Sequence, residues 1–178
     1  MSEKFILDAC CGPKEMWTNK NHPNTIYIDI RKENKGFIKQ HKNIKIEPDL
    51  IMDFRKMQFP DNSFKLVVAD PPHLKTLGET SLFRKKYGGL NKETYPQDLK
   101  MMFNELWRVL EENGVLIIKW SDNEIKIKEL LKYFHTKPLF YQISSSKATS
   151  KTYWLCFMKI SERISFTKDI ENIKKTTH

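Results

Sequence analysis

Asp70-Pro71-Pro72-His73 follows directly on Phe64-Lys65-Leu66-Val67-Val68-Ala69, an apolar run with the length of a buried strand. Neither proline has an N–H to donate, and each ring holds φ at about −65°. The first proline also confines Asp70 to extended backbone. The sequence therefore predicts a stiff turn at a strand's carboxyl end, carrying one carboxylate and one free carbonyl, that of Pro71. Two acceptors on a rigid mount suit the two N–H groups of an amine. The imidazole of His73 offers a flat face on which a ring bearing that amine could stack. The same four residues also make a plain strand-to-loop turn, because Pro and Asp are frequent there, so the rest of the chain decides between the two.

Three more strand-like runs end in aspartate: Lys4-Phe5-Ile6-Leu7 before Asp8, Thr25-Ile26-Tyr27-Ile28 before Asp29, and Asp49-Leu50-Ile51-Met52 before Asp53. Residues 14–20 read as a short helical stretch carrying Met16 and Trp17, and residues 32–41 as a weak helix. The clearest helix covers residues 96–111, where Leu99, Met102, Phe103, Leu106, Trp107 and Leu110 form one apolar stripe. Asn113-Gly114 is expected to end it. Val115–Trp120 reads as a fifth strand, and Ser121 or Asp122 as the cap of a further helix through Ile125, Ile127, Leu130, Leu131 and Phe134. Residues 139–143 and 152–158 read as a hairpin of two strands around a Ser/Lys-rich turn. Strands alternating with helices predict an α/β fold: a mostly parallel seven-stranded sheet with helices on both faces and an antiparallel edge strand. In open α/β sheets ligands bind at the carboxyl ends of the strands. Asp8, Asp29, Asp53 and Asp70 should therefore gather along one edge.

Over residues 4–160 the chain resembles the class I S-adenosylmethionine-dependent methyltransferases, which have a Rossmann-like fold. Phe5-Ile6-Leu7-Asp8-Ala9-Cys10-Cys11-Gly12 resembles that family's first motif, an apolar strand, an acidic residue and a glycine loop. Tyr27-Ile28-Asp29-Ile30 is similar to the second motif, whose acid binds the ribose hydroxyls of the cofactor. Asp53-Phe54 and the later Phe59-Pro60-Asp61-Asn62-Ser63-Phe64 resemble the segment that contacts the adenine ring, and residues 106–114 the helix-and-glycine stretch before strand five. The resemblance implies S-adenosylmethionine as cofactor, held by Asp8, Ala9, Cys10, Gly12, Asp29, Ile30, Asp53, Phe54 and Asp70. Cys10 and Lys14 stand where two glycines are usual. Lys14 lies either beside the cofactor's methionine carboxylate or on the surface. The cysteine pair supplies either small packing residues or a reactive thiol, and Trp17 belongs either to the core or to the cofactor's border.

Within that family, Asp-Pro-Pro followed by an aromatic residue marks enzymes that methylate a nitrogen conjugated to a planar system. They include adenine-N6 and cytosine-N4 DNA methyltransferases, some RNA guanine-N2 enzymes and protein glutamine methyltransferases. His73 stands where Tyr, Phe or Trp is usual. The resemblance thus implies a catalytic set of Asp70, Pro71, Pro72 and His73, with DNA adenine-N6 the favoured target. An RNA base, a protein amide, a small molecule, or a catalytically silent nucleic-acid-binding module are the alternatives. The chemistry fits the motif. An exocyclic amine shares its lone pair with the ring, and hydrogen bonds to Asp70 and the Pro71 carbonyl would localise that pair for in-line attack, with positioning supplying much of the acceleration.

Between His73 and Tyr95 lies a long segment with little apolar periodicity, including Lys75, Arg84, Lys85, Lys86, Tyr87, Gly88 and Gly89. It reads either as a lid over a nucleotide and its phosphates or as a solvated loop. A duplex substrate would have to release its target base from the stack. Trp120 is placed to flank the substrate or to fill the core.

A length of 178 residues predicts one domain, residues 1–160, followed by a basic tail or short helix, residues 161–178. The formal charge of +9 favours a polyanionic partner, DNA or RNA. No run approaches the roughly 18 apolar residues of a membrane span, and no signal peptide is expected. Cys10, Cys11 and Cys156 fit neither a disulfide framework nor a zinc site. No metal is expected, and the location expected is cytoplasmic. The chain shows no obvious target-recognition domain, so a homodimer or a specificity partner is also expected.

Overall fold

The computed structural model describes residues 4–78, 81–144 and 150–160. The elements run β1 (Ile6–Asp8), β2 (Thr25–Asp29), β3 (Leu50–Ile51), β4 (Phe64–Ala69), α1 (Leu82–Tyr87), α2 (Tyr95–Val109), β5 (Leu110–Ser121), α3 (Ile127–Leu130), β6 (Phe140–Ser144) and β7 (Thr152–Met158). They build one seven-stranded sheet in the order β3-β2-β1-β4-β5-β7-β6. The pairs among β1 to β5 are parallel, and β7 runs antiparallel to both β5 and β6. The antiparallel strand is thus one place in from the edge, not at the edge as the sequence suggested. The hairpin turns β7 back between β5 and β6, and a sequence does not say which hairpin strand will meet the existing sheet.

The strand order reverses at β1, whose neighbours are β2 on one side and β4 on the other, and such a reversal opens a crevice at the carboxyl ends. Register sets its shape. Asp8 pairs with Tyr27 and with Val68, so Asp29 and Asp70 each stand two residues beyond it. At about 3.3 Å per residue, the edge has a notch roughly 7 Å deep with Asp8 at its floor.

One long helix supports this sheet. Pro96 sits in the first turn of α2, where a missing N–H costs nothing. Leu99, Met102, Phe103, Leu106 and Val109 form its buried face. Phe103 stacks on Phe134 with ring centroids 4.1 Å apart and meets Phe157 of β7 edge-on. Leu7, Ile28, Val67, Leu116, Ile118 and Leu155 complete the core from the strands.

Several predicted helices are absent or short. Residues 14–20 and 32–41 run in turns, without a helix. The second stretch is closed instead by an antiparallel bridge between Glu33 and Ile46. The helix predicted from residue 121 onward is one turn, α3, which starts only after Lys126 leaves extended backbone. Nor does α2 reach Asn113-Gly114. Leu110 is already extended, and Asn113, at φ 63°, sits in an irregular stretch of β5. Part of the segment predicted as irregular between His73 and Tyr95 is helix α1. The hairpin turn at residues 145–149 and the tail from residue 161 onward lie outside the described residues. Among those described, no helix is long and apolar enough to cross a membrane.

Candidate active site

Asp8 is fully buried at the floor of the notch. It accepts hydrogen bonds from the Trp17 indole (2.7 Å) and the Cys10 backbone N–H (3.3 Å). Burial pushes its carboxyl up to about 7, with Asp70 and Asp29 adding to the rise and the two hydrogen bonds working against it. Asp29 is only 4% exposed. It accepts from the Gly12 N–H (2.9 Å), the Arg31 N–H (2.9 Å) and the Arg31 guanidinium (3.1 and 3.3 Å). Asp53 has the same arrangement with Arg55, whose backbone N–H and Nε reach Oδ1 at 2.9 and 3.0 Å. Burial alone would raise the Asp53 carboxyl, but the Arg55 hydrogen bonds prevail and hold it below the usual range. The ends of β2 and β3 thus form the same Asp-x-Arg clamp, and in each the middle residue, Ile30 or Phe54, lines a cavity.

That cavity, of about 430 Å³, lies over the carboxyl edge. Asp8, Cys10, Gly12, Asp29, Asp53 and Asp70 are in its wall, with Trp17 beside them. The loop under it bends through two left-handed residues, Gly12 at φ 47° and Lys14 at φ 56°. Lys14 therefore adopts the conformation that a glycine would take at that position. Its ammonium lies 4.0 Å from the centroid of the Tyr27 ring, a cation–π contact. Ala9 is buried and donates its N–H to Val68, holding β1 to β4 without facing the cavity. Both thiols of the loop are pushed up, first by burial and then by Asp8 and the neighbouring carboxylates. They stay protonated at neutral pH, which selects the packing role over the reactive thiol.

A second cavity, of about 240 Å³, opens beyond the proline turn, with Pro71, His73, Leu74, Phe83 and Lys119 in its wall. Asp70, Tyr87 and Gly88 belong to both cavities. Gly88, at φ 80°, is the position where the chain must pass close to the turn: a Cβ there would meet Pro72 Cγ at 3.1 Å. Asp70 Oδ2 accepts from the Lys119 ammonium at 2.6 Å. Burial lowers the His73 imidazole below its usual range, with nearby Asp70 opposing. Among the described residues its buried Nδ1 has no hydrogen-bond partner, and its ring meets Trp120 edge-on.

Helix α1 spans the two cavities. Lys86 pairs with Glu15 (2.8 Å), the Tyr87 hydroxyl donates to the same carboxylate (3.2 Å), and Arg31 donates to the Lys85 carbonyl (3.1 Å). Arg84 lines the larger cavity and donates to the Leu77 carbonyl (3.1 Å), whereas Lys85 is exposed and neither Lys85 nor Lys86 lines either of these two cavities. Trp120 lines neither one. It is wholly buried, its indole N–H donating to the Ile125 carbonyl (3.0 Å), because it shares the inward face of β5 with Leu116 and Ile118. Of the two places left open for Trp120, beside the substrate or in the core, it takes the core. Sequence reasoning missed Lys119, Arg31, Arg55 and Glu15. The repeated Asp-x-Arg after two strands was a visible signal for the two arginines, and a lysine inside the apolar run 115–120 was one for Lys119.

No protein-family model matches the chain, and no curated protein matches it either. Solved structures do share its fold. A SAM-dependent methyltransferase from Methanosarcina mazei superposes with a TM-score of 0.54 at 14% identity, covering 91% of this chain and 95% of that one. The 1,6-didemethyltoxoflavin-N1-methyltransferase of Burkholderia thailandensis, solved with 1,6-didemethyltoxoflavin and S-adenosylhomocysteine, gives 0.52 at 13% identity over 89% and 72%. A geranyl diphosphate methyltransferase in complex with GPP and sinefungin gives 0.53 at 10% over 89% and 71%. The chain has the fold of S-adenosylmethionine-dependent methyltransferases.

Proposed function

We propose that the protein is an S-adenosylmethionine-dependent N-methyltransferase acting on the exocyclic amine of a nucleic-acid base, with adenine N6 of DNA the first target to test. The observation that carries this reading is the place of Asp70. Of the three residues common to both cavities it alone brings a carboxylate, on a stiff proline turn.

The larger cavity suits the cofactor. Its 430 Å³ falls in the range of small-molecule sites, roughly 300–1,000 Å³. Asp29 would hold the ribose hydroxyls in exchange for the Arg31 guanidinium, with Ile30 and Phe54 flanking the adenine ring. The left-handed Gly12 and Lys14 turn the loop past the remaining, charged end. When bound, the cofactor supplies a sulfonium methyl group as the electrophile.

The remaining chemistry belongs to the chain. Asp70 Oδ1, which carries no hydrogen bond among the described residues, accepts an N–H of the substrate amine and draws its lone pair out of conjugation. The proline turn fixes the direction in which that lone pair points, toward the larger cavity. Once the nitrogen has gained its carbon, the N–H proton becomes acidic and leaves through Asp70 to water. Pro71 belongs to the smaller cavity's wall, and its carbonyl would take the second N–H. The net charge of +9 supports a polyanionic substrate. A small heteroaromatic substrate is the second reading, favoured by the 240 Å³ volume of the acceptor-side cavity, which holds little more than one ring system.

Tritium transfer from labelled cofactor to DNA, RNA and small-molecule fractions, followed by nucleoside analysis, tests the reading. The expected product is labelled N6-methyladenine in DNA, and Asp70→Ala should lower the rate at least 1,000-fold while changing cofactor affinity less than about tenfold. An Asp70→Ala variant with full turnover would remove the mechanism.

A further inference from the structure

We infer that Asp70 and Lys119 act as an acceptor–donor pair that selects substrates carrying an amino group and an unprotonated ring nitrogen on the same carbon, the amidine-like edge of an aminopyrimidine. The inference rests on the acceptor-side reading of the smaller cavity.

Register brings the two residues together. Ala69 pairs with Ile118 across parallel β4 and β5, and the residues that follow them are Asp70, just past the end of β4, and Lys119. Their side chains meet at 2.6 Å, at 22% and 31% exposure, in the wall of the 240 Å³ cavity. This differs from a surface ion pair in what it leaves open. An ammonium has three N–H donors. One goes to Asp70 Oδ2, and Lys119 makes no other hydrogen bond among the described residues. Trp154, its cross-strand neighbour on β7, offers only a ring, 5.8 Å away. Asp70 keeps Oδ1 open as an acceptor. The cavity therefore presents an unfilled acceptor and an unfilled donor side by side, with the apolar side chains of Leu74, Leu77 and Phe83 around them.

The complement of that pair is a planar group with an N–H donor and an acceptor on the same carbon. Adenine and cytosine carry such an edge, as does a primary carboxamide. The apolar surroundings favour the flat ring over a flexible amide. A ring with the amine but no neighbouring acceptor would leave the partly buried Lys119 donors facing C–H, and sites built on a hydrogen bond reject the analogue lacking it.

The test uses the full chain saturated with S-adenosylhomocysteine and NMR-measured dissociation constants for 2-aminopyrimidine, aniline and benzamide. The wild type is expected to bind 2-aminopyrimidine roughly 10- to 100-fold more tightly than aniline. Lys119→Met should erase that preference, and Lys119→Arg, which keeps a donor, should retain part of it. A pair of merely structural value would lower both affinities together and leave the ratio unchanged. The inference is overturned if the wild type does not discriminate, if Lys119→Met discriminates as well as wild type, if benzamide binds more tightly than 2-aminopyrimidine, or if no fragment binds. Should Lys119→Met not fold, the wild-type ratio and Lys119→Arg decide. Failure of S-adenosylhomocysteine to bind would instead strike the methyltransferase reading itself, so the two failures are told apart.

Discussion

Four carboxylates crowd one sheet edge, and the chain neutralises them unequally. Asp29, Asp53 and Asp70 each meet a cation: Arg31, Arg55 and Lys119. Among the described residues Asp8 meets only neutral donors, Trp17 and the Cys10 N–H, while being the most deeply buried of the four. Desolvation then dominates, and its carboxyl is pushed up to about 7 from an ordinary 3.8. The sign of the linkage follows. Between about pH 4 and pH 7 the folded chain keeps a proton that the unfolded chain has released, so stability falls as pH rises through that window. At 1.36 kcal/mol per pH unit the loss approaches about 4 kcal/mol. Asn has the shape of the protonated acid and does not titrate. Asp8→Asn is therefore expected to flatten the dependence, its melting temperature gaining on the wild type by roughly 5–10 °C between pH 5 and pH 8. Thermal denaturation across that range checks it, and a variant that loses stability with pH as steeply as wild type would show that Asp8 is not the source.

Among the elements, the passage from α2 into β5 sets the register on which the site depends. The helix turns into strand at Leu110 with no loop between them. Leu110 pairs with Phe64 and Val115 with Leu66, so β5 absorbs extra residues at 111–114 before regular pairing with β4 begins. Lys159 fastens that irregularity: its backbone bonds Asn113 and Gly114, and its ammonium caps the Trp107 and Leu110 carbonyls. A Cβ at Gly114 would lie 2.8 Å from the Glu111 carbonyl oxygen, a backbone atom that cannot step aside alone. Gly114→Ala is expected to cost about 1–3 kcal/mol, read as a lower urea midpoint at unchanged m-value. The same region shows what the sequence makes legible. The stripe Leu99, Met102, Phe103, Leu106 identified α2 because its period is local. Leu116, Ile118 and Trp120 alternate at the two-residue period of a strand, which identified β5 but left Trp120 open between the core and the substrate. That Lys119 would meet Asp70 was not legible, since it requires knowing that β4 and β5 are neighbours in this register. The helix expected at residues 32–41 fails at Gly36, whose φ of 92° breaks the run. The helix expected from residue 121 onward starts only at Ile127, because Lys126 is extended.

For the molecule as a whole, the larger cavity draws its wall from residues as far apart as Asp8 and Asp98, from four strand ends, from α1 and from the start of α2. Such a wall exists only in the folded chain. A ligand seated there binds the native state alone and stabilises all of it by mass action, about 2.7 kcal/mol at a hundred times its dissociation constant. In a chain of this size each kcal/mol moves the melting temperature by roughly 2–4 °C. Saturating S-adenosylhomocysteine should therefore raise the melting temperature by roughly 5–10 °C. Because Asp29 stands at the proposed ribose position and Asp70 at the junction of the two cavities, Asp29→Asn should lose most of that shift while Asp70→Ala keeps most of it. Equal loss in both variants would mean that the ligand does not lie along the β1–β2 side of the crevice. No shift in the wild type at millimolar ligand would mean that the cavity serves some other molecule.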